Sequence, residues 1–356
     1  MPLISPRFAQ AALMLSLGAT ILSGLPAAAE EAPLPSINLP IEGWTVVAQA
    51  KGIFKEEFGK LGTQVTLVDP GTTQLIGAES AMLDRGGLAF AQRMIYPATV
   101  QKANGIDASI VWLSEKSSPA RTPMLARKDG PVSRIEDLDG RNFGSGRIGC
   151  GWTSPKEMLT RAGLPLDSAD AKGRVRYTNI SNTVANNAAL LSGRIDATAT
   201  HVALSDVAAL LKTGEVKEIA TSPDDGVYVN AAGRVAYFAM REFVNVHPSQ
   251  VRAFLTARQR SVAWIREHVD EAAQIIAHDT RIPVDIAKFG ITDSSQFGYM
   301  EGEPSADVAV DAIETFQKWY IDHGDDILKS RHLTDDQIEA FVDRRFFKGG
   351  SFTIYN

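Results

Sequence analysis

The chain has 356 residues, 44% of them hydrophobic and 22% charged, with 29 Gly, 17 Pro and a single Cys. That composition is globular and excludes a disordered, collagen-like or fibrous chain. A formal net charge of -6 supplies no basic face for a polyanion, so nucleic acid is not an expected partner.

Residues 1–29 read as an export signal. Arg7 and the free amine make the positive start, residues 11–22 the apolar stretch, and Ala27, Ala28 and Ala29 the small residues before cleavage after Ala29. About a dozen apolar residues fall short of the roughly 20 that span a bilayer, so a soluble, periplasmic product is expected rather than an anchored one. Cys150 is far from the cleavage point and has no second cysteine, which argues against a lipid anchor and an internal disulfide. The remaining chain is longer than one hydrophobic core usually serves, so two lobes are expected.

The elements follow in chain order. A short apolar run at 37–41 predicts a strand, and Val46, Val47, Ala50, Phe54 and Phe58 share one stripe of a predicted helix over 45–58. Residues 65–68 predict a second strand, 72–83 a helix and 88–91 a third strand. This alternation is the pattern of a parallel sheet with crossover helices. It recurs with strands at 123–127, 141–145, 175–179 and 197–200, and helices at 155–162, 183–191 and 204–211. Residues 235–240 give the last strand. The remainder reads as helical, with Val251, Phe254, Leu255, Val262, Ile265 and Val269 on one face. Further helices are predicted at 306–320 and 334–342, each opened by a Ser or Thr cap. Two α/β halves joined near 122 and 232 place a ligand site in the crevice at the carboxyl ends of the strands.

Several segments in this order carry a resemblance. Ala50-Lys51-Gly52-Ile53-Phe54 closes the first helix, Ile135 to Gly140 (IEDLDG) precedes Arg141-Asn142-Phe143, and Gly193-Arg194-Ile195-Asp196-Ala197 steps into a strand. Arg241-Glu242-Phe243 and His247-Pro248 then lead into the long helix. The chain resembles the periplasmic solute-binding proteins of ABC importers for aliphatic sulfonates, taurine, nitrate and thiamine precursors. The resemblance implies an α/β fold of two hinged lobes, the type II periplasmic binding protein fold, with the ligand cleft between them. It implies lobe 1 from 36–122 plus 232–356 and lobe 2 from 123–231. The implied function is capture of a small anionic, sulfonate-like or aromatic solute and its delivery to an inner-membrane permease and its ATPase. The protein is expected to act as a monomer without cofactor, and not as an enzyme. Related folds include a desulfinase and a pyrimidine-precursor synthase, so the alternative is a periplasmic enzyme using Cys150, with His201 as base.

The candidate ligand-binding residues are Trp44, Gln92, Arg93, Cys150, Gly151, Trp152, Thr153 and His201. Arg93 follows the third predicted strand and suits a sulfonate, carboxylate or phosphate. Gln92 beside it offers both donor and acceptor. Trp44, Tyr96 and Trp152 stand at predicted loop positions, where aromatic rings suit a flat or apolar solute part. Gly144, Gly146 and Gly149 satisfy G-x-G-x-x-G, but in mid-chain, with Asp167 and Asp170 in a Pro-containing loop. The loop is therefore read as one that turns its amides to a ligand rather than to a dinucleotide. Glu42 puts a carboxylate near the same site. The six histidines show no tight pair at metal-ligand spacing, so no metal is expected.

Overall fold

A computed structural model describes residues 31–69, 78–167, 172–202, 204–292 and 298–356. The expected export signal, residues 72–77 of the helix expected at 72–83, and Asp170 lie outside them. Strand β1 (Ser36–Pro40) pairs in parallel with β2 (Gln64–Val68). Between them lie α1 (Gly43–Ala50) and α2 (Ile53–Gly59), two helices where one continuous helix was expected. The break is Gly52, whose φ of 72° is the left-handed conformation that glycine adopts without a Cβ clash. Val46, Val47, Phe54 and Phe58 of the expected stripe are buried, but Ala50, at the end of α1 before the break, is exposed.

Helix α3 (Ala78–Asp84) leads to β3 (Ala91–Met94), α4 (Ile95–Ala103) and β4 (Ala108–Leu113). β3 starts where the expected strand was to end, so Gln92 and Arg93 lie within the strand. The reason is pairing: β10 (Val235–Met240) runs antiparallel to β3, with Phe238 opposite Ala91 and Val235 opposite Met94. β10 also lies antiparallel to β4. The parallel sheet expected of the first half is thus confined to β1 and β2.

Residues 124–220 build a separate five-stranded sheet in the order β7-β6-β8-β5-β9. Its strands are β5 (Met124–Arg127), β6 (Asn142–Ser145), β7 (Arg176–Asn179), β8 (Ala197–Ala199) and β9 (Val216–Ala220). β6 is parallel to β7 and β8, and β5 is antiparallel to β8 and β9. Helices α5 (Cys150–Arg161), α6 (Thr183–Leu191) and α7 (Ser205–Thr213) connect them. α5 begins five residues before the expected start. Pro155 is inside it, where it removes the amide that would bond the Gly151 carbonyl. A π-helical turn at Tyr228–Ala232 returns the chain to β10.

The helical remainder comprises α8 (Arg241–Val246), α9 (Pro248–Glu267), α10 (Val269–Thr280), α11 (Val284–Thr292), α12 (Ala306–Asp322), α13 (Asp326–Ser330) and α14 (Asp335–Phe341). Thr334 caps α14, accepting from the Gln337 amide while its own amide bonds the Gln337 side chain. One core cluster gathers Trp44, Phe54, Tyr237 and Phe254. The larger one joins Tyr96 and Ile110 of the first half to Phe143 and Trp152 of the second, with Phe316 and Tyr320 of α12. Among the described residues no helix is long and apolar enough to cross a membrane.

Candidate functional site

The site is built from three strand ends. β3 carries Gln92 and Arg93, β6 runs through Ser145 into the Gly-rich turn before α5, and His201 follows β8. Gly151 is fixed by packing: a side chain there would put its first carbon 2.6 Å from the Ala199 carbonyl and 3.3 Å from Ser145 Cβ. Only a glycine lets the first turn of α5 sit this close to the end of β8, and that contact sets Cys150 beside His201.

The Cys150 thiol is in hydrogen-bond contact with His201 Nε2, from a residue 51 positions away in the chain. On the other side of the ring, Nδ1 lies 3.5 Å from Thr122 Oγ1. Thr122 is 2.8 Å from the Tyr228 hydroxyl, which in turn donates to Met94 Sδ at 3.8 Å. Burial raises the Cys150 thiol to about 11, against the pull of the Arg121 guanidinium and of the Gly151 and Cys150 amides. Burial holds the His201 imidazole well below its usual range, with Arg121 and Arg93 adding to the effect. The resting pair is therefore a neutral thiol against a neutral imidazole.

Arg93 Nη2 lies 2.7 Å from Glu79 Oε2, within ion-pair distance. The contact is not aligned as a hydrogen bond, and Arg93 Nε and Nη2 have no acceptor in this structure. Glu79 is buried, accepts from the Gln92 amide at 3.0 Å through Oε1, and is raised by that burial although Arg93 lowers it. Beside it, one oxygen of Glu42 gathers three donors: Tyr237 OH at 2.5 Å, Trp44 Nε1 at 2.6 Å and Gln92 Nε2 at 3.5 Å. Burial still dominates and raises Glu42 to about 7.

The three aromatic residues expected in loops are on helices: Trp44 on α1, Tyr96 on α4 and Trp152 on α5. All three are fully buried. Trp44 packs edge-on against Phe54, Tyr237 and Phe254. Tyr96 OH donates to Asp325 Oδ2 at 2.6 Å, and Trp152 Nε1 reaches the same oxygen at 3.3 Å. Trp44 thus belongs to one core cluster and Tyr96 and Trp152 to the other, so the three rings do not converge on one face. Thr153 is buried, and its carbonyl accepts from Tyr320 OH at 2.8 Å. Cys150, Gly151 and His201 meet at the strand ends and Arg93 acts on His201, whereas the Gln92 side chain turns to Glu42 and Tyr237. Sequence reasoning missed Thr122, Ser145 and Tyr228. Only pairing across the folded chain brings them in, and no local spacing signals it. Among the described residues no three His, Cys, Asp or Glu side chains are grouped to hold a metal ion.

A family model described as NMT1/THI5 like matches residues 43–272. No curated protein sequence matches the chain. Among solved structures, the chain is similar to the alkanesulfonate-binding protein SsuA from Xanthomonas axonopodis pv. citri bound to MOPS. The two are 16% identical with a TM-score of 0.67, covering 88% of this chain and 99% of that one. The periplasmic aliphatic sulphonate binding protein SsuA from Escherichia coli is 17% identical, with a TM-score of 0.64 over 84% of this chain and 97% of that one. The desulfurization enzyme DSZB shares the fold at 15% identity and a TM-score of 0.55, over 89% of this chain and 97% of that one. At these identities the likeness is one of fold: two α/β lobes with a cleft between them.

Proposed function

The chain belongs to the NMT1/THI5-like family, and on that premise we propose that it is the extracytoplasmic solute-binding component of an ABC importer. It captures a small anion, sulfonate-like or aromatic, and hands it to an inner-membrane permease driven by an ATPase. The observation that carries the reading is that two guanidinium groups, Arg93 and Arg121, come near the same imidazole, His201. Arg93 from β3 acts on His201 beyond β8, and Arg121 and the amides that open α5 face the same sulfur. Arg93 Nε, without an acceptor while Nη2 is ion-paired with Glu79, suits a ligand oxygen. Gln92, Arg93, Cys150, Gly151 and His201 are the proposed contacts. Trp44 orients Glu42 behind Gln92, while Trp152 and Thr153 hold α5 in place. The proposed lobes are 36–122 with 232–356, and 123–231, which agrees with the five-stranded sheet lying within 124–220. Export with cleavage after Ala29 and action as a monomer complete the proposal.

The test is a thermal-shift screen of protein starting at Glu30 against alkanesulfonates, taurine, nitrate, aromatic carboxylates and pyrimidines. A true ligand at a hundred times its Kd adds about 2.7 kcal/mol, roughly 5–10 °C for a chain of this size. Arg93→Ala should weaken an anionic hit by about 2 kcal/mol, some thirtyfold. Equal affinity in that variant would remove the anion assignment.

A further inference from the structure

We propose that the crevice opens between α7 and α11, with the ion pair Lys212–Asp285 as its latch. The connection through α5 and α12 stays shut and acts as the pivot. The inference rests on the crevice being the solute's site and assigns its doorway. A doorway is needed because the site is covered. Cys150 is 9% exposed and shares a small buried cluster with Met94, Tyr228 and Val229. Met94 ends β3 and Cys150 opens α5, so the two proposed lobes close over each other at that thiol. A molecule from solution reaches it only as the two sides part.

The two connections between the lobes differ in kind. Through α5 and α12 the lobes share one core, since Trp152 lies in the same buried cluster as Phe316 and Tyr320. Tyr320 OH donates to the Thr153 carbonyl at 2.8 Å, and Trp152 Nε1 reaches Asp325 Oδ2, a fully buried carboxylate, at 3.3 Å. Parting this side would expose aromatic surface and strip a donor from a buried charge, and both are costly.

Between α7 and α11 no core is shared among the described residues. Ala287 and Ile291 of α11 pack into the cluster of Trp44 and Phe254. Val207 and Leu210 of α7 belong to a separate cluster beneath β5. The polar link across this edge is Lys212 Nζ with the Asp285 carboxylate, whose side chains are 44% and 63% exposed. Each charge also stands at the helix end that favours it, Lys212 in the last turn of α7 and Asp285 in the first turn of α11. When the helices separate, water and the helix ends continue to stabilise both charges. The pair therefore weights the closed form only a few-fold, enough to favour closure without preventing exchange.

The single cysteine is a built-in reporter of opening. The probe is iodoacetamide, which is neutral and so indifferent to charge changes at the edge, with intact-protein mass as readout. Lys212→Glu sets two carboxylates face to face and should speed alkylation of Cys150 about fivefold. Adding Asp285→Lys to that variant should return the rate toward wild type. Asp326→Ala, which breaks the exposed Arg147–Asp326 pair on the pivot side, should leave the rate unchanged. Urea midpoints of all variants report global stability. An unchanged rate in Lys212→Glu overturns the proposal, as does a thiol that no variant labels. Rates that rise alike in Lys212→Glu and Asp326→Ala, in step with their urea midpoints, also overturn it, since the thiol is then reached by global unfolding. The thermal-shift screen on wild type reports separately. A solute shift without edge-dependent alkylation keeps the binding reading and removes the doorway; edge-dependent alkylation without any solute shift does the reverse.

Discussion

Two tryptophans of this molecule look alike in the sequence and differ in what they join. Trp44 and Trp152 are both fully buried, and each directs its indole N–H to a carboxylate. Trp44 serves Glu42, two residues away, inside one aromatic cluster of the first half. Trp152 serves Asp325, 173 residues away, so it ties the helix that carries Cys150 to the start of α13. Asp325 is satisfied on both oxygens: the Ile327 and Leu328 amides on one, Tyr96 and Trp152 on the other. Glu42 takes all three of its side-chain donors on a single oxygen, and burial raises it to about 7. The same residue type thus fixes a local carboxylate in one place and a connection between distant segments in the other.

The largest expected effect removes either indole. Trp44→Ala and Trp152→Ala should each lower stability by about 3–5 kcal/mol, read from urea midpoints. A loss under about 1 kcal/mol for either variant would show that its ring is not core.

A smaller effect is expected at Glu42 as pH changes. Below the ordinary value of 4.5, Glu42 is protonated in the folded and unfolded chain alike; above it, the folded chain keeps the proton up to about 7. Its stabilising contribution is therefore full below 4.5 and is lost as pH rises through 7, by up to about 3 kcal/mol. Wild-type stability relative to Glu42→Gln should accordingly fall between about pH 5 and about pH 8. A constant difference across that range would mean that the carboxylate is ionised throughout.

The smallest effect is expected at the rim beside Trp152, where Arg147 pairs with Asp326. The two side chains are 21% and 33% exposed. Asp326→Ala should cost no more than about 1 kcal/mol, and less in high salt. A larger loss in the urea midpoint would move the connection from the buried Asp325 to its neighbour.

Much of the fold was legible because local patterns agreed with it. The helix at Thr183–Leu191 and the strand at Val235–Met240 have the expected bounds, and the Thr334 cap forms where its Ser/Thr signal stands. The misreadings share one physical cause. Pro155 suggested a helix start, yet the helix begins at Cys150, since the fit of Gly151 against Ala199 extends it backwards. The third strand moved to Ala91–Met94 because β10 fixes its register from 141 residues away. Of the candidate site, Gln92, Arg93, Cys150, Gly151 and His201 were visible as polar, small or reactive residues near strand ends. Nothing near them in sequence pointed to Thr122, Ser145 and Tyr228.

The sequence by itself determined the α/β alternation, the helical remainder of the chain beyond β10, and which residues have chemistry to offer. Periodicity and capping act over a few residues, and a linear pattern holds them completely. Tertiary structure decided that Trp44 and Trp152 are buried, that Glu42 shares its oxygen among three donors, and that Cys150 meets His201 with Thr122 behind it. Those outcomes depend on desolvation and on contacts between segments tens to hundreds of residues apart, and such distances exist only once the strands have paired.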